Sequence, residues 1–332
     1  MKKTGVAIIG CGSIFPVHAN AIRGLERVQL QMVADIDESK AQLAAQKYDC
    51  SYTTNYTDIV KNPDIQAVHL CTPHFLHAPM AKELMQAGKH VLTEKPMCLN
   101  LNECDELNEI SRVTGYSLGV CLQNRYHTTS LTMKELIDSK RIGRVLGARA
   151  FVTWERSGDY YQKSSWRGTW AKEGGSLLMN QAIHTLDLLV WLLGDVDSVK
   201  GTIANHCFSE FIETEDTAEA ILQFRSGARA LFYASNAYVS NAPVYLEVSC
   251  EQGSMVQNGE LTVSWKDGNT EVFKDIPPTE YKTYWGTGHK NLIMNFYDCL
   301  ARGVPFAPNG IEGAKVISII QKLYSHGLQP KT

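Results

Sequence analysis

Two glycines and one acidic residue near the start of the chain have the spacing of a dinucleotide-binding site. Gly10 and Gly12 follow the apolar residues 6–9, and Asp35 comes directly after the next apolar run. Gly10 permits a tight turn, and Gly12 lets the backbone approach a pyrophosphate closely, because neither carries a Cβ atom. The N-terminus of the following helix attracts the phosphate charge, and Asp35 can accept hydrogen bonds from a ribose diol. The third glycine of the usual G-x-G-x-x-G pattern is absent, since Phe15 occupies its position.

The elements that must position these residues alternate along the first part of the chain. Apolar runs typical of buried strands occur at 6–10, 30–35, 67–72, 90–93 and 116–122. Helical patterns separate them, at 38–47, 79–87 and 101–113. Such alternation predicts an α/β Rossmann domain with a doubly wound parallel sheet over residues 1–123.

The pattern changes after residue 123. One long apolar helix is predicted at 177–193, and Gly194 ends it. Consecutive strand patterns with short turns follow at 196–207, 216–224, 228–235 and 244–250, and two further helices are predicted at 289–302 and 310–325. This order predicts an α+β domain with a mostly antiparallel open sheet over residues 124–332.

Composition restricts the kind of protein this can be. The 332 residues are 44% apolar and 20% charged, which is typical of a globular chain with two domains. A formal charge of −3 argues against nucleic-acid or membrane-surface binding. The chain has no apolar run long enough for a transmembrane helix, and its first apolar stretch is too short for a signal peptide. Nine scattered cysteines do not form a disulfide framework, so we predict a cytoplasmic protein.

Four short motifs occur in order along the chain. They are the paired glycines, Thr72-Pro73-x-x-x-His77, Glu94-Lys95-Pro96, and a glycine-rich segment at 174–187 that leads into a helix carrying His184. With these motifs the chain resembles the glucose–fructose oxidoreductase/inositol dehydrogenase (Gfo/Idh/MocA) superfamily from about residue 6 to 324. The resemblance implies an NAD(H)-dependent oxidoreductase that transfers a hydride between nicotinamide and a CH–OH or C=O group. The substrate would be a sugar, an inositol-like polyol or a sugar derivative.

The resemblance also implies which residues contact the cofactor. We expect these contacts at Gly10, Gly12, Ser13, Ile14, Asp35, Thr72, Pro73, His77, Glu94, Lys95 and Arg167. Asp35 should repel the 2′-phosphate of NADP(H), and the neighbouring Ile36 supplies no cation for it, so NAD(H) should be preferred.

Oxidation of a CH–OH group needs a base for the hydroxyl proton and a hydrogen-bonding group on the reacting oxygen. The resemblance places Lys95 near that oxygen. His184 is the predicted proton acceptor, because a histidine titrates near neutral pH while an ordinary lysine has a pKa of about 10.4. In related enzymes an acidic residue stands four positions before the histidine, whereas this chain has Asn180 there. Asp187, three residues after His184, is the nearest candidate to replace that acid.

Other candidate residues have competing structural interpretations. Trp166 and His289 are candidate substrate contacts, as are Asn180 and Asp187. The spacing Cys71-x-x-His74-x-x-His77 resembles a metal site, but it lacks a fourth ligand nearby, so no metal is predicted. Residues 213–216 are predicted to form a solvated turn.

Two alternative functions remain open at this level. An NAD-dependent glycosidase would oxidise its substrate transiently, and a non-enzymatic regulator would only bind the dinucleotide. Lys95 and His184 argue against the regulator, which has no need of either.

An open sheet with one face uncovered by helices also predicts a homodimer or homotetramer.

Overall fold

Two units, each with its own sheet, make up the structure, a computed structural model that describes residues 3–276, 287–325 and 327. The first unit comprises Met1–Gln123 and Pro278–Ala314, and the second comprises Asn124–Pro277 and Lys315–Thr332. The first division between the units follows Gln123. The sequence assigns all of 124–332 to one domain, however, whereas residues 287–314 belong to the first unit.

The first unit contains a parallel sheet of six strands in the order β3-β2-β1-β4-β5-β6, as expected for a Rossmann domain. The strands are β1 (Thr4–Ile9), β2 (Val28–Ala34), β3 (Ser51–Thr53), β4 (Ala67–Leu70), β5 (His90–Thr93) and β6 (Leu118–Val120). The helices between them are α1 (Phe15–Arg23), α2 (Glu38–Tyr48), α3 (Thr57–Lys61), α4 (His74–Gln86) and α5 (Leu101–Thr114). The short elements β3 and α3 give too little periodicity to be predicted.

Local sequence signals define most helix ends in this unit. Asp37 caps α2 by accepting from the backbone N–H of Lys40, and Asn100 caps α5 by accepting from that of Glu103. Helix α4 is an exception, because it begins five residues before the start predicted at Pro79. Proline favours a first helical turn, but here it lies further along the helix, where its missing N–H removes one hydrogen bond.

The second unit contains an eight-stranded sheet in the order β14-β13-β12-β11-β7-β10-β9-β8. All neighbours are antiparallel except β7 and β10. Its strands are β7 (Val145–Thr153), β8 (Val196–Ala204), β9 (Thr217–Phe224), β10 (Arg229–Ser235), β11 (Tyr245–Cys250), β12 (Gly253–Asn258), β13 (Leu261–Trp265) and β14 (Thr270–Phe273). The helices are α6 (Thr128–Asp138), α7 (Gly158–Gln162) and α8 (Ile183–Leu193). The predicted mostly antiparallel sheet is confirmed.

The last two helices are α9 (Gly288–Arg302) and α10 (Gly310–Tyr324). Helix α9 packs against α1, so it completes the first unit although it follows the second sheet in sequence. Amphipathic periodicity predicts such a helix but not its partner, which explains the difference from the predicted domain assignment. Among the helices described, none is long and apolar enough to cross a membrane.

Candidate functional site

The glycine turn after β1 is shaped by a close backbone approach. Gly10 has φ +97°, and a Cβ atom there would lie 2.5 Å from the carbonyl oxygen of Cys71. Gly12 differs, because within the described residues no heavy atom lies within 4 Å of a Cβ built at that position. Ser13 and Ile14 then lead into α1. The turn therefore leaves room in front of the helix N-terminus, as a pyrophosphate requires.

The Asp35 carboxylate connects this turn to the end of β2. Its Oδ2 accepts from the backbone N–H of Cys11 at 2.8 Å, and its Oδ1 accepts from that of Asp37 at 2.9 Å. Ile36 between them is 96% exposed and offers an apolar surface beside the acid. This arrangement fits the diol and the adenine end of NAD.

His77 holds together the loops that follow β4 and β5. Its Nδ1 lies 2.7 Å from the carbonyl oxygen of Pro96, and its Nε2 lies 2.8 Å from that of Thr72. Its ring is fully buried, which lowers its pKa. The predicted direct cofactor contact of His77 is therefore replaced by a structural role. Thr72 keeps a buried Oγ1 without a hydrogen-bond partner in the described structure, and Pro73 lies beside it, directly before α4.

Glu94, just before Lys95, is bound by a buried chain of aromatic side chains. Its Oε1 lies 2.9 Å from His18 Nε2 and 3.2 Å from His289 Nε2. His18 Nδ1 contacts His69 Nδ1 at 2.8 Å, and His69 Nε2 contacts the Tyr297 hydroxyl at 2.7 Å. Burial alone would raise the pKa of the Glu94 carboxyl, but the two histidine hydrogen bonds outweigh it and hold that pKa well below its usual range.

This chain of hydrogen bonds has a direction. Burial lowers the pKa of His69 well below its usual range, so its ring is neutral and has one N–H. An ionised carboxylate only accepts hydrogen bonds, so the N–H groups of His18 and His289 donate to Glu94. The ligand atoms of His18, Glu94 and His289 lie within 4.8 Å of one another, but their separations are those of hydrogen bonds to a carboxylate.

The structure places two predicted ligand contacts in the buried hydrogen-bond network instead. Glu94 is a predicted cofactor contact and His289 a predicted substrate contact, yet both side chains are almost fully buried and bonded to each other. The reason is that α9 packs on α1 and brings His289 to the end of β5. Lys95 is less buried than its neighbours and lies two residues after the end of β5, where a Rossmann sheet binds its ligands.

In the second unit, a π-helical segment (Leu177–Ala182) precedes α8, so the predicted single helix at 177–193 is divided. Glu215 contacts the start of this segment. Its Oε1 accepts from the backbone N–H groups of Ser176 at 3.2 Å and Leu178 at 2.8 Å, and from the Tyr324 hydroxyl at 2.9 Å. Burial raises the pKa of Glu215 to about 7. π-Helical turns often occur at functional sites.

The prediction of a solvated turn at 213–216 is therefore wrong for residues 214–216. Thr214, Glu215 and Asp216 are fully buried. Asp216 accepts from the backbone N–H groups of residues 206–208, so buried backbone donors explain why these acids lie inside. These residues lie within the span of about residues 6 to 324 over which the chain resembles known enzymes, and that resemblance is the available signal.

Asn180 and His184 stand out in this region because every other residue from 173 to 190 is buried. They lie four positions apart, one in the π-helical segment and one in the first turn of α8. Asn180 Nδ2 donates to Glu173 Oε1 at 2.7 Å. Of the polar residues in this segment, these two are the ones that a ligand can reach.

Asp187 forms a buried ion pair with Arg125. Arg125 Nε donates to Oδ2 at 2.8 Å, and Nη2 donates to Oδ1 at 2.6 Å. Asp187 is only 1% exposed, so the structure does not favour the predicted contact between its side chain and a substrate. Its carboxylate instead fixes α8 to the segment before α6.

Trp166 and Arg167 lie together on a partly buried surface of the second unit. The Arg167 guanidinium carbon lies 4.4 Å from the ring centre of Tyr160 and 5.4 Å from that of Trp166. Its Nε is buried without a hydrogen-bond partner among the residues described. A guanidinium in this setting is suited to an anionic or hydroxyl-rich ligand.

Comparison with known families follows the division into units. The model of an oxidoreductase family with an NAD-binding Rossmann fold matches residues 4–121, and the model of the GFO/IDH/MocA C-terminal domain matches residues 130–256. The chain belongs to the Gfo/Idh/MocA family. It is thus a member of an NAD-binding oxidoreductase family.

Individual Gfo/Idh/MocA proteins match over nearly the whole chain. Inositol 2-dehydrogenase of Rhizobium meliloti is 26% identical, over 94% of this chain and 93% of its own length. The WlbA dehydrogenase of Bordetella pertussis, solved with NADH and UDP-GlcNAcA, is 28% identical with a TM-score of 0.87, covering 100% of this chain and 99% of its own. Levoglucosan dehydrogenase, solved with NADH and levoglucosan, has a TM-score of 0.89 at 22% identity, with 98% of both chains covered.

Proposed function

We propose that this protein is an NAD(H)-dependent dehydrogenase that acts on a CH–OH group of a sugar, a polyol or a sugar derivative. The observation that carries the proposal is the accessibility of Asn180 and His184 within an otherwise buried segment. A proton acceptor and a hydroxyl-binding amide, four residues apart, suit a substrate that carries hydroxyl groups. The names of several relatives, among them an inositol and a levoglucosan dehydrogenase, support this substrate class.

The residues have separate tasks in the proposed mechanism. Gly10, Gly12 and Asp35 would hold the dinucleotide, which when bound supplies the acceptor for the hydride. Lys95 hydrogen-bonds the reacting oxygen and stabilises the negative charge that develops on it. His184 accepts the hydroxyl proton, since a neutral imidazole is available near neutral pH.

The test is a screen of inositols, hexoses, uronates and nucleotide sugars with NAD, followed by the absorbance of NADH. Turnover of at least one member of these classes, with net formation of NADH, is the expected result. Glycoside cleavage that needs only a catalytic amount of NAD would instead favour the glycosidase. Binding of NADH without turnover of any class would favour a regulator.

Asp35 should determine the preference for NAD(H) over NADP(H). Its two oxygens are held by backbone N–H groups, so the carboxylate would lie against the 2′-phosphate of NADP(H) and repel it. We expect Asp35→Ser to lower the ratio of the NADP(H) dissociation constant to the NAD(H) dissociation constant by about tenfold or more. This corresponds to about 1.4 kcal/mol of binding free energy. Fluorescence titration with both cofactors measures this, with Asp37→Ser as the control. Equal affinity of the unaltered protein for both cofactors would contradict the prediction.

We also propose that the uncovered face of the second sheet forms an interface between copies of this chain. Leu231 is 48% exposed and pairs across the sheet with Ile221, which is 41% exposed. Burial of these two neighbouring apolar side chains against a second copy of the chain would stabilise the assembly. We expect Leu231→Lys to increase the monomer fraction in light scattering after gel filtration. Val239→Lys, which alters a 94% exposed residue outside the strands, should not. A monomeric unaltered protein would refute the proposal.

The proposed location is the cytoplasm. All nine cysteines are free thiols, and a dehydrogenase that exchanges NAD(H) needs the intracellular cofactor pool. Both points support a reducing compartment.

A further inference from the structure

Glu173 is a buried carboxylate that belongs to none of the sequence motifs. It lies seven residues before Asn180, and its side chain is fully buried. Its Oε2 accepts from the backbone N–H of Gly168 at 2.5 Å. Gly168 has φ +70°, and a Cβ atom there would lie 2.3 Å from Ile212 Cγ2, so this backbone has little freedom. The position of the carboxylate is therefore set by the loop that carries it.

Glu173 determines how the amide of Asn180 is oriented. Glu173 Oε1 lies 2.7 Å from Asn180 Nδ2. An ionised carboxylate only accepts hydrogen bonds, so the amide nitrogen must face Glu173 and the amide oxygen must point away from it. Because the acceptor is charged, this hydrogen bond is stronger than one between neutral groups.

We propose that Glu173 is a positioning residue for the proton transfer at His184. It fixes the Asn180 amide so that its oxygen can accept a hydrogen bond from the imidazole. It also supplies, from one residue further away, the negative charge that an acid at position 180 would supply directly. The inference rests on the proposed function, in which His184 accepts the hydroxyl proton. An amide is a sufficient partner for a catalytic imidazole, as in the Cys-His-Asn arrangement of papain-like proteases.

Other charged and titratable groups surround this pair. The Tyr160 hydroxyl lies 3.5 Å from Asn180 Nδ2, and the guanidinium groups of Arg156 and Arg167 lie over its ring. Burial raises the pKa of Tyr160, and Glu173 adds to this effect. Tyr324, which donates to Glu215, is also within the electrostatic reach of Glu173. The two arginines are common to all variants below, so differences between variants report on Glu173.

The first test is Glu173→Gln in the full-length protein, with NADH bound for the NMR measurement and with NAD for turnover. Loss of the negative charge should lower the pKa of His184 by about half a unit or more, because a nearby anion favours the imidazolium. Turnover rises with pH as His184 loses its proton, so this limb of the pH profile should move to lower pH. We expect kcat to fall about tenfold with little change in KM. NMR of labelled histidine, assigned with His184→Asn, measures the pKa without a substrate.

The second test exchanges the carboxylate of residue 173 and the amide of residue 180. In Glu173→Gln combined with Asn180→Asp, the carboxylate stands at 180 and accepts from the new amide at 173. This variant should recover most of the lost kcat, and the pKa of His184 should rise above that of the unaltered protein. Asn180→Asp alone places two carboxylates together, which resist joint ionisation. Glu173→Gln should therefore lower kcat in the unaltered protein but raise it in the Asn180→Asp background.

The inference is overturned if the pKa of His184 does not move in Glu173→Gln while the melting temperature falls, because Glu173 is then only structural. Should Glu173→Gln fail to fold, a double variant no more active than Asn180→Asp also overturns it. Glu210→Gln, which alters an exposed acid of the same unit, is the matched control. The proposed function fails separately, when the unaltered protein turns over none of the substrate classes, and the NMR result stands in either case.

Discussion

Replacing Lys95 or His184 by alanine is expected to lower turnover by about 100-fold or more in each case, the usual contribution of a positioned acid–base group. NADH affinity and the melting temperature should change little, since both side chains are partly exposed and neither fills a core. Steady-state kinetics on a substrate from the screen, together with NADH titration and thermal unfolding, measure these effects.

Lys200→Ala and His206→Ala are suitable controls, because both alter exposed residues of the same types. Near-normal turnover in His184→Ala would transfer the base role to Lys95. If neither substitution reduced turnover, the proposed mechanism would be wrong. A loss of NADH binding in His184→Ala would show that the imidazole acts on the cofactor rather than on the substrate hydroxyl.

Breaking the ion pair between Arg125 and Asp187 should have the largest effect on stability. Both side chains are almost fully buried and form two parallel hydrogen bonds. Arg125→Met leaves a buried carboxylate without its cation, which typically costs about 3–5 kcal/mol of unfolding free energy. Chemical denaturation monitored by tryptophan fluorescence measures the change.

The pair of Lys134 and Asp138 provides the comparison, because it is much more accessible to solvent, which screens ion pairs. Lys134→Met should leave the unfolding midpoint nearly unchanged. A double variant in which Met replaces Arg125 and Leu replaces Asp187 should recover part of the loss, since neither charge is then buried alone. Equal destabilisation by Arg125→Met and Lys134→Met would contradict the assignment of a buried pair.

The features that the sequence predicts well are those governed by local rules. The glycine turn, Asp35 and the alternation of strands and helices follow from conformational preference and periodicity, and the structure confirms the two sheets that they imply. The helix that carries His184 is apolar enough to be predicted as buried. Apolar periodicity does not indicate its division into a π-helical segment and α8, nor the hydrogen bonds from the start of that segment to Glu215, which is distant in sequence.

The features that the sequence does not reveal depend on contacts between distant residues. Glu173 has no motif, and its meaning appears only from its hydrogen bond to Asn180. The hydrogen bond of His289 to Glu94 is not evident from the sequence, because helical periodicity does not indicate that α9 packs against α1. His18 did carry a signal, since a histidine among the apolar positions of α1 indicates a buried polar partner.

The path of the chain through the two units affects how the protein is made. The cofactor-binding unit needs α9 for its Glu94 network, yet the 154 residues Asn124–Pro277 of the other unit are translated between Gln123 and α9. At about 5–20 residues per second, this is about 10–30 s of synthesis. During that interval Glu94 has no hydrogen bond from His289. The surface of α1 that packs against α9 also stays uncovered, because α9 has not yet been synthesised. Completion of the cofactor-binding unit is therefore a late event in biosynthesis, although its glycines are among the first residues to leave the ribosome.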